Sequence, residues 1–348
     1  MSAKRLWVLL ALAIAVAGGA YWLSTGTTLK RDPDYGARVL PGLAAALDAV
    51  SSVRLVGAGG QTLVTLTRDA GHWRVAEAGY PADAARVRRL LVALGDLHVV
   101  EAKTEDPARY AALAVEDVEA PGAQSLRVEL RGLAEPLALL VGHAAAGQGA
   151  YVRVAGQRQA LEARPSLDVP RAPHDWLART IVDLAPPRVQ SLEVEPGDGP
   201  AWRAVRATRE AAHFDVPGLP RGRELASLGA ADAAGNALAT LEFDEVRKAG
   251  APAGRARPER AVVRAFDGLV VTLEGRAEGE ARWLTVTASF DAALAARFPP
   301  VAGQAAPGAE QVEREAERIA ATTAGWEYRV SAYRYDAIFR KRDSLLRH

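Results

Sequence analysis

Histidines are the side chains best suited to bind a metal or to move a proton, but their spacing in this chain favours neither role. Six occur, and no two lie at the spacing of a metal-binding pair. They are His72, His98, His143, His174, His213 and His348. Asp96, His98 and Glu101 crowd one short stretch. This stretch follows a predicted helix end, where polar residues are common, so we predict no metal site.

Other catalytic motifs are missing from the sequence. There is no G-x-x-x-x-G-K-[ST] phosphate loop, no G-x-S-x-G nucleophile elbow and no H-E-x-x-H zinc helix. Gly57-Ala-Gly-Gly60 has the glycines of a nucleotide-binding loop, but no third glycine opens a helix, so we predict a hairpin turn. A second acidic stretch, Glu242, Asp244 and Glu245, is interpreted as a solvated loop. The sequence predicts no catalytic, cofactor-binding or metal-binding residue.

The composition excludes several classes of protein. The chain has 348 residues, of which 49% are hydrophobic and 24% charged, so it is long enough for about two globular domains. It contains no cysteine, which excludes disulfides, thiolate metal sites and a cysteine nucleophile. The net charge is +1, with acids and bases interspersed, so no nucleic-acid partner is expected.

An apolar segment near the N-terminus predicts a membrane anchor. Lys4-Arg5 precedes an uncharged run at residues 6–23, which as a helix would span about 27 Å of the roughly 30 Å bilayer core. Tyr21-Trp22 suits the far interface. We therefore predict a single-pass protein of the bacterial inner membrane that contacts the lipid bilayer through residues 6–23, with its body in the periplasm. The alternative is a signal peptide with a cleavage site at Ala15-Val-Ala17.

The body is predicted to be α+β, with two similar halves of mainly antiparallel β-sheet and packed helices. The predicted divisions are a membrane anchor at 1–23, a tether at 24–38, a first α+β repeat at 39–163, a junction helix at 164–187, a second α+β repeat at 188–300 and a helix-strand-helix closure at 301–348. Leu177, Ile181 and Leu184 give the junction its helical spacing, and Pro186-Pro187 would end that helix.

Three blocks of the first half recur in the second at nearly one spacing, which indicates an internal repeat. The spacing is 136 residues for two of the pairs and 132 for the third. The pairs are Val53–Val56 with Val189–Val194, Ser125–Leu130 with Ala261–Phe266, and Ala150–Val154 with Arg282–Val286.

The clearest amphipathic helix begins after Gly79-Tyr-Pro-Ala-Asp83 and is expected to end at Gly95. Its apolar residues recur at i, i+3, i+4 and i+7, and they are Val87, Leu90, Leu91 and Leu94. This face should be buried against a sheet. Near the C-terminus, a helix face through Val312, Ala316, Ile319, Ala320 and Thr323 precedes a strand in which Trp326, Tyr328 and Val330 alternate into the core.

The dipeptide Asp267-Gly268 predicts a tight hairpin. Asp-Gly between two apolar runs is typical of a two-residue type I′ turn. Such a turn would pair Phe266 with Leu269, Arg264 with Val271 and Val262 with Leu273.

Several of these segments together resemble the bacterial family of domain of unknown function 4340. They are Leu40-Pro-Gly-Leu43, Gly79-Tyr-Pro-Ala-Asp83, Lys103-Thr-Glu-Asp-Pro107, Tyr151-Val-Arg153, Asp175-Trp-Leu-Ala-Arg179 and Phe266-Asp-Gly-Leu269. The resemblance covers about residues 40–290. It implies one N-terminal membrane helix and an accessory role beside transporters similar to the gliding-motility ABC type, and it implies no catalytic residues.

We interpret the chain as a non-enzymatic, membrane-anchored periplasmic accessory protein that binds an envelope partner. The resemblance points to subunits of an ABC-type transporter of the gliding-motility-like class, and exposed sheet edges would suit such contact. One alternative is a periplasmic ligand carrier that uses a cleft between the repeats. Another is a hydrolase of envelope polymers, which would need two facing carboxylates about 5 to 9 Å apart.

Overall fold

The computed structural model describes residues 35–250, 257–299 and 307–347. The predicted membrane anchor at 1–23 and residues 24–34 of the predicted tether lie outside the described residues. Among the helices in the described ranges, none is both long enough and apolar enough to cross a membrane.

The fold is α+β, with mostly antiparallel sheets and few helices. The strands are β1 Ser52–Val56, β2 Thr62–Asp69, β3 His72–Val75, β4 Tyr80–Pro81, β5 His98–Thr104, β6 Leu126–Arg131, β7 Leu137–Ala145, β8 Gly149–Val154, β9 Ala160–Arg164, β10 Thr180–Val182, β11 Val189–Glu195, β12 Trp202–Val205, β13 Leu241–Glu242, β14 Glu245–Lys248, β15 Glu259–Ala265, β16 Leu269–Glu278, β17 Ala281–Phe290 and β18 Trp326–Val330. The α-helices are α1 Ala84–Asp96, α2 Tyr110–Leu113, α3 Asp232–Gly235, α4 Ala292–Arg297, α5 Ala309–Thr323 and α6 Ala332–Ile338. Short 3-10 helices lie at Leu43–Ala45, Leu47–Ala49, Ala58–Gly60, Pro107–Arg109, Pro173–Trp176, Pro186–Arg188 and Arg342–Leu345.

The chain forms two compact units. The first takes the described residues of Met1–Asp69 and Ala85–Arg171, and the second takes those of Ala70–Ala84 and Ala172–His348. Residues 70–84, which lie inside the predicted first repeat, thus belong to the second unit. The reason is packing, because Tyr80 is fully buried among aromatic residues of the second unit.

Each unit contains seven neighbouring strands in the same order. The order is β2-β1-β6-β7-β8-β9-β5 in the first unit and β12-β11-β15-β16-β17-β18-β14 in the second. When the seven strands of each unit are numbered 1 to 7 along the chain, both orders read 2-1-4-5-6-7-3. The three recurring blocks of sequence fall on equivalent strands, since they lie on β1 and β11, on β6 and β15, and on β8 and β17.

The strand register repeats as well as the strand order. In the first unit, Leu55 of β1 is opposite Val128 of β6. In the second, Ser191 of β11 is opposite Arg264 of β15, so each member of this pair lies 136 positions beyond its counterpart. A β-bulge between Val189 and Ser191 changes the register at the start of β11, and the equivalent part of β1 and β6 has no bulge.

Helix α1 contributes its predicted apolar face to the core of the first unit. Val87, Leu90, Leu91 and Leu94 are between 0% and 6% exposed, which confirms the prediction. Gly95 lies inside the helix rather than after it, and a side chain there would meet the backbone of Ala44, since its Cβ would lie 3.2 Å from the Ala44 Cα atom.

The core of the second unit is built on α5, β18 and an aromatic cluster. On α5, Val312, Ala316, Ile319 and Thr323 are buried as predicted, and Ala320 is half-buried. On β18, Trp326, Tyr328 and Val330 are buried as predicted, but Glu327 between them is buried too, so burial does not alternate along the strand. The ring of Tyr80 packs edge-on against Phe243, Trp326 and Tyr328, with ring centroids 5.1 to 6.0 Å apart. The hydroxyls of Tyr80 and Tyr328 lie 3.2 Å apart and share a hydrogen bond.

The predicted junction helix within 164–187 is wrong. Pro173–Trp176 forms a 3-10 helix, and Thr180–Val182 forms the strand β10, which pairs antiparallel with β13. The apolar pattern correctly predicted burial, since Leu177, Ile181 and Leu184 are buried, but it did not predict the secondary structure. The three residues of β10 are threonine, isoleucine and valine, all of them β-branched, and such side chains favour an extended backbone.

The predicted hairpin register is also wrong by one residue. Arg264 is opposite Val270 and Val262 is opposite Thr272, because the loop holds three residues, Phe266 to Gly268, rather than two. The amide of Gly268 donates to the carbonyl of Ala265 at 3.0 Å, with a φ of 92° at Gly268. A glycine in the left-handed region at the last loop position is typical of three-residue hairpins.

We predict that Leu91→Ala destabilises the chain by about 2 to 5 kcal/mol, because it leaves a cavity under α1. The neighbouring Val92 is 39% exposed, so Val92→Ala provides a matched control whose effect should stay within about 0.5 kcal/mol. Urea unfolding monitored by circular dichroism measures both values. Equal effects of the two substitutions would show that the buried face of α1 contributes nothing to the core.

Candidate ligand cavity in the second unit

Charged and aromatic side chains of the second unit line a cavity of about 520 Å³. This volume is within the range of roughly 300 to 1,000 Å³ found for small-molecule sites. The charged residues that line it are Asp198, Arg257, Glu259, Glu274, Arg276 and Glu327, and the aromatic residues are Trp283 and Tyr335. Strands β15, β16, β17 and β18 and helix α6 supply six of these eight side chains.

Glu327 is the most strongly bonded charge of the cavity wall. Its residue is 3% exposed, and its carboxylate accepts hydrogen bonds from Arg247 Nε at 3.0 Å and from Arg276 Nη2 at 2.9 Å. The backbone amide of Gly250 donates a further bond at 3.2 Å. Burial opposes ionisation, but the hydrogen bond from Arg247 and the charge of Arg276 outweigh it, so the pKa of Glu327 lies below its usual value. Glu327 is therefore a fixed negative charge at neutral pH.

Arg247 connects the ion pairs of Glu327 to the aromatic side chain of Trp283. Its guanidinium lies 3.6 Å from the ring centroid of Trp283, within the range of a cation–π contact. The same guanidinium also bonds Glu278 at 2.9 Å. Trp283 is consequently 5% exposed, although it lies on the same face of the sheet as Arg276, its partner across the ladder. The network fixes the position of the indole beside the cavity.

Tyr335 and Glu259 interact at one end of the cavity. Burial, followed by the side-chain hydrogen bond to the Glu259 carboxylate, raises the pKa of Tyr335, so its hydroxyl keeps its proton at neutral pH. Arg276 Nε is buried without a hydrogen-bond partner among the described residues. An unmet buried polar atom costs about 1 to 3 kcal/mol, so this nitrogen indicates where a water or a ligand completes the bonding.

Gly275 allows helix α6 to approach the sheet at the cavity. A Cβ atom at this position would lie 2.4 Å from Phe339 Cε2 and 2.7 Å from Tyr335 Oη. Both distances are too short for any side chain, so only glycine fits. Because Gly275 has no side chain, the Tyr335 hydroxyl lies against β16. Gly275 is opposite Glu259 of β15 in the strand ladder.

The first unit has a related arrangement on equivalent strands. Lys103 of β5 forms ion pairs at 2.7 Å with Glu162 of β9 and with Glu101, and its amino group lies 5.8 Å from the ring centroid of Tyr151 on β8. The equivalent strands of the second unit are β14, β18 and β17, which carry Arg247, Glu327 and Trp283. Burial disfavours the charged form of Lys103, but the bonds to Glu101 and Glu162 raise its pKa.

Two of the segments that carry the family resemblance contact each other. In the second unit, the amide of Asp83 donates to the carbonyl of Trp176 at 2.7 Å, and the amide of Ala178 donates to the carbonyl of Pro81 at 3.0 Å. These bonds join the segment at 79–83 to the segment at 175–179. The motifs thus have a structural role in this unit.

Buried Arg153 has a comparable structural role in the first unit. It is 3% exposed, and it donates to the carbonyls of Val115 at 2.8 Å and Gln157 at 2.9 Å. Its third bond, at 2.6 Å, goes to Asp117. The guanidinium also lies over the ring of Tyr110. Arg153 therefore holds two loops together.

The side chains of Asp96, His98 and Glu101 each contact a different group. Asp96 accepts a bond from Arg38 at 2.8 Å, while His98 Nδ1 lies 3.2 Å from the backbone carbonyl of Asp96. Glu101 bonds Lys103 at 2.7 Å. Within the described residues, no three His, Cys, Asp or Glu side chains come together as a potential metal site.

The remaining histidines lie apart from the cavity. His143 contacts Gln124 at 3.3 Å, His174 contacts Asp175 at 3.1 Å and His213 contacts Asp232 at 2.6 Å. His72 is exposed, and His348 lies outside the described residues. None of the five described histidines lines the cavity.

The two other stretches considered from the sequence are structural. Gly57 to Gly60 forms the predicted turn between β1 and β2, and the amides of Gly59 and Gly60 donate to the carbonyls of Ala120 and Val118. Those amides are therefore not available to cradle a phosphate.

In the acidic stretch at 242–245, Glu242 is exposed as expected, but it lies in strand β13 and Glu245 begins strand β14, so the predicted loop is wrong at both ends. Asp244 and Glu245 are exposed too, but they form ion pairs with Arg179 at 3.4 Å and with Arg329 at 3.0 Å.

None of the residues that line the cavity was predicted from the sequence to be a site residue. Glu327 and Arg247 lie 80 positions apart, so no local motif joins them. The one available signal was the internal repeat, because the block with Trp283 matches the block with Tyr151. That match indicates a shared aromatic position, although it gives no hint of the acids and arginines around it.

A family model described as Domain of unknown function (DUF4340) matches residues 73–258 of the chain. This range covers half of the chain and includes part of the cavity wall, up to Pro258. No curated protein matches the chain, and no solved structure matches it.

We predict that Glu327→Gln destabilises the chain by about 1.5 to 3 kcal/mol at pH 7, because it removes the buried charge that Arg247 and Arg276 bond, while both arginines keep Glu278 as a partner. The pKa of Glu327 in the folded state lies below its unfolded-state pKa of about 4.3. The contribution of its ionised form to stability is therefore present above the unfolded-state pKa and is lost as the pH falls through the lower folded-state pKa. The substitution should therefore matter less at acidic pH.

Glu245→Gln is the matched control, since Glu245 forms an exposed ion pair with Arg329 worth about 0 to 1 kcal/mol. Urea unfolding at pH 7 and at pH 3 measures both variants. Equal losses of stability for the two substitutions at pH 7 would contradict the assigned role of Glu327.

Proposed function

Because the chain belongs to the DUF4340 family, whose description assigns no activity, we propose a function from the cavity itself: the second unit binds a small ligand without transforming it. The observation that carries this proposal is the cavity of about 520 Å³, in which the apolar side chains of Trp283 and Leu284 lie beside the charged side chain of Arg276. A pocket with an apolar wall and a few convergent polar groups is the usual form of a small-molecule site. This is the ligand-carrier alternative, with its site inside one unit.

The state of Glu327 argues against this side chain as the proton donor of a hydrolase. A glycosidase-type mechanism needs one carboxyl whose pKa is raised, so that it can donate a proton to the leaving group. The pKa of Glu327 is lowered by Arg247 and Arg276, so this carboxylate is unsuited to that role. Its bonds instead hold the wall of the cavity in a fixed geometry, which reduces the cost of ordering a bound ligand.

We also propose that the two units arose by duplication of one ancestral unit. The shared strand order and the register offset of 136 between β1–β6 and β11–β15 support this view. The pairs Lys103–Glu162 and Arg247–Glu327, on equivalent strands, support it further. In this account the second unit acquired the cavity, and the first unit kept a simpler form of the ion network.

A second candidate function is contact with a protein partner at the membrane. The segment at 6–23 is apolar enough in sequence for an anchor, and Tyr333 and Leu228 of the second unit are 77% and 81% exposed. Large exposed tyrosine and leucine side chains suit a protein interface. This candidate is a single-pass inner-membrane protein with a periplasmic body, bound to subunits of an ABC-type transporter of the gliding-motility-like class.

Such contact would use side chains rather than sheet edges. The end strand β14 is only four residues long, and Glu245, Arg247 and Lys248 are three of them. Short, charged edge strands resist the addition of another strand. The exposed side of α6, which carries Tyr333, is therefore the better candidate surface.

We predict that Thr285→Trp, at the cavity wall, reduces the ligand-bound fraction at least tenfold, because the indole fills the cavity. Thr287 is exposed on the same strand and does not line the cavity, so Thr287→Trp is the matched control and should leave binding unchanged. Native mass spectrometry of the full chain, purified in mild detergent, measures the fraction with added mass. A wild-type protein without any added mass would contradict the proposal.

For the second candidate, we predict that replacing residues 1–23 with a cleavable signal peptide abolishes complementation of a deletion strain at native expression. A membrane tether raises the effective concentration near an embedded partner to about the millimolar range, so its loss should empty a weak contact. The released body should fold normally, which circular dichroism checks. Full complementation by the released body would remove the tethered-partner hypothesis and leave ligand carriage.

A further inference from the structure

Apart from the ligand cavity of the second unit, we infer that a pocket of the first unit binds the phosphate of an anionic lipid headgroup. The pocket has a volume of about 640 Å³, and all of the residues that line it belong to the first unit. Its charged and imidazole side chains are those of Arg38, Asp96, His98 and Arg164. The inference rests on the proposed membrane anchor for the source of the phosphate, and it is independent of the proposed ligand cavity.

Arg38, His98 and Arg164 form a row across three neighbouring backbone segments. Arg38 is opposite His98 in an antiparallel bridge, and His98 of β5 is opposite Arg164 of β9. Residues directly opposite each other have their side chains on the same face of a sheet. Adjacent strands lie about 4.8 Å apart, so the backbones of the two arginines are roughly 10 Å apart, with His98 between them. Both long side chains can therefore reach one bound anion.

The pocket carries more positive than negative charge. Arg38 donates to Asp96 Oδ1 at 2.8 Å, and both side chains of this pair are about half exposed, so the pair contributes little to stability. Arg164 is exposed, and its guanidinium has no hydrogen bond or ion pair among the residues that the structure describes. Like charges that face each other on neighbouring strands destabilise a sheet. A bound anion would offset this repulsion and give Arg164 a partner.

A phosphate group suits two arginines in one pocket. The planar guanidinium of arginine donates two parallel hydrogen bonds to phosphate oxygens, and a phosphate has enough acceptor oxygens to bond both Arg38 and Arg164. Gly147, which also lines the pocket, lies close to Arg164, since a Cβ atom at this glycine would be 2.4 Å from Arg164 Nη2. The missing side chain leaves room for the guanidinium. Arg164 is therefore held beside the pocket without being bonded there.

The place of the pocket in the chain favours a membrane as the source of the phosphate. Gly36 lines the pocket, and residues 24–35 separate it from the predicted anchor at 6–23. A flexible chain of this length reaches about 17 to 21 Å, which keeps the pocket close to the headgroups. Tyr35, next to the pocket, is 50% exposed, and tyrosine is common at the level of the headgroups. Anionic lipids attract arginine over this short distance.

Arg164 is the decisive side chain, because it lines the pocket and is exposed without a counter-charge among the described residues. Arg164→Gln should therefore weaken lipid binding without lowering the melting temperature of the lipid-free protein. Arg131, on β6 of the same sheet, is also exposed and does not line the pocket. Arg131→Gln removes the same charge from the same unit, so it is the matched control.

Isothermal titration calorimetry of the full chain in a mild non-ionic detergent tests the inference. The probes are dioctanoylphosphatidylglycerol, dioctanoylphosphatidylcholine, in which choline neutralises the phosphate, and inorganic phosphate. We expect the phosphatidylglycerol to bind at least tenfold more tightly than either of the other two probes. Arg164→Gln should weaken this binding at least tenfold, and Arg131→Gln should leave it unchanged.

Several outcomes would overturn the inference. Equal binding of the two lipids, or phosphatidylglycerol binding that Arg164→Gln leaves unchanged, shows that the lipid is held outside the pocket. Inorganic phosphate that binds as tightly as the lipid, and is lost in Arg164→Gln, shows that the pocket takes a free anion. If phosphatidylglycerol does not bind but loss of residues 1–23 abolishes complementation, the pocket inference fails and the tethered-partner candidate stands. If it binds through Arg164 and the released body complements fully, that candidate fails and the lipid pocket stands.

Discussion

The buried carboxylate of Glu327 is the contact on which the second unit's cavity depends. It joins three strands, because Arg247 is on β14, Arg276 is on β16 and Glu327 itself is on β18. Breaking such a buried pair leaves uncompensated charge, so the three side chains hold one another in place. Arg247 then covers Trp283, and the wall of the cavity becomes a fixed surface of charge and indole.

The two units share a strand order but build this interaction from different side chains. In both units a cation of the third strand meets a buried acid of the seventh, near an aromatic residue of the sixth. The first unit has one lysine in this position, whereas the second has two arginines, which hold the acid from two sides. Arginine's planar fork allows this paired geometry, which lysine cannot reproduce.

Sequence patterns predicted the elements whose periodicity is strong. The spacing of Val87 to Leu94 predicts the buried face of α1, and the alternation of Trp326, Tyr328 and Val330 predicts β18. The patterns failed where one local signal fits two structures. Asp267-Gly268 suits loops of two or of three residues, and the apolar residues around Ile181 are buried equally well by a strand.

The candidate site was not predictable from local sequence, because it is built from contacts between distant residues. Arg247 lies 31 positions from Glu278 and 80 from Glu327, and no motif spans such distances. Gly275 becomes informative only when Tyr335 and Phe339 are seen to pack against it.

A crystal structure of the full chain as purified from its own cells tests the central claim most directly. We expect density of a bound small molecule in the cavity beside Trp283 and Arg276. Only ordered water throughout this cavity would contradict the proposed ligand binding.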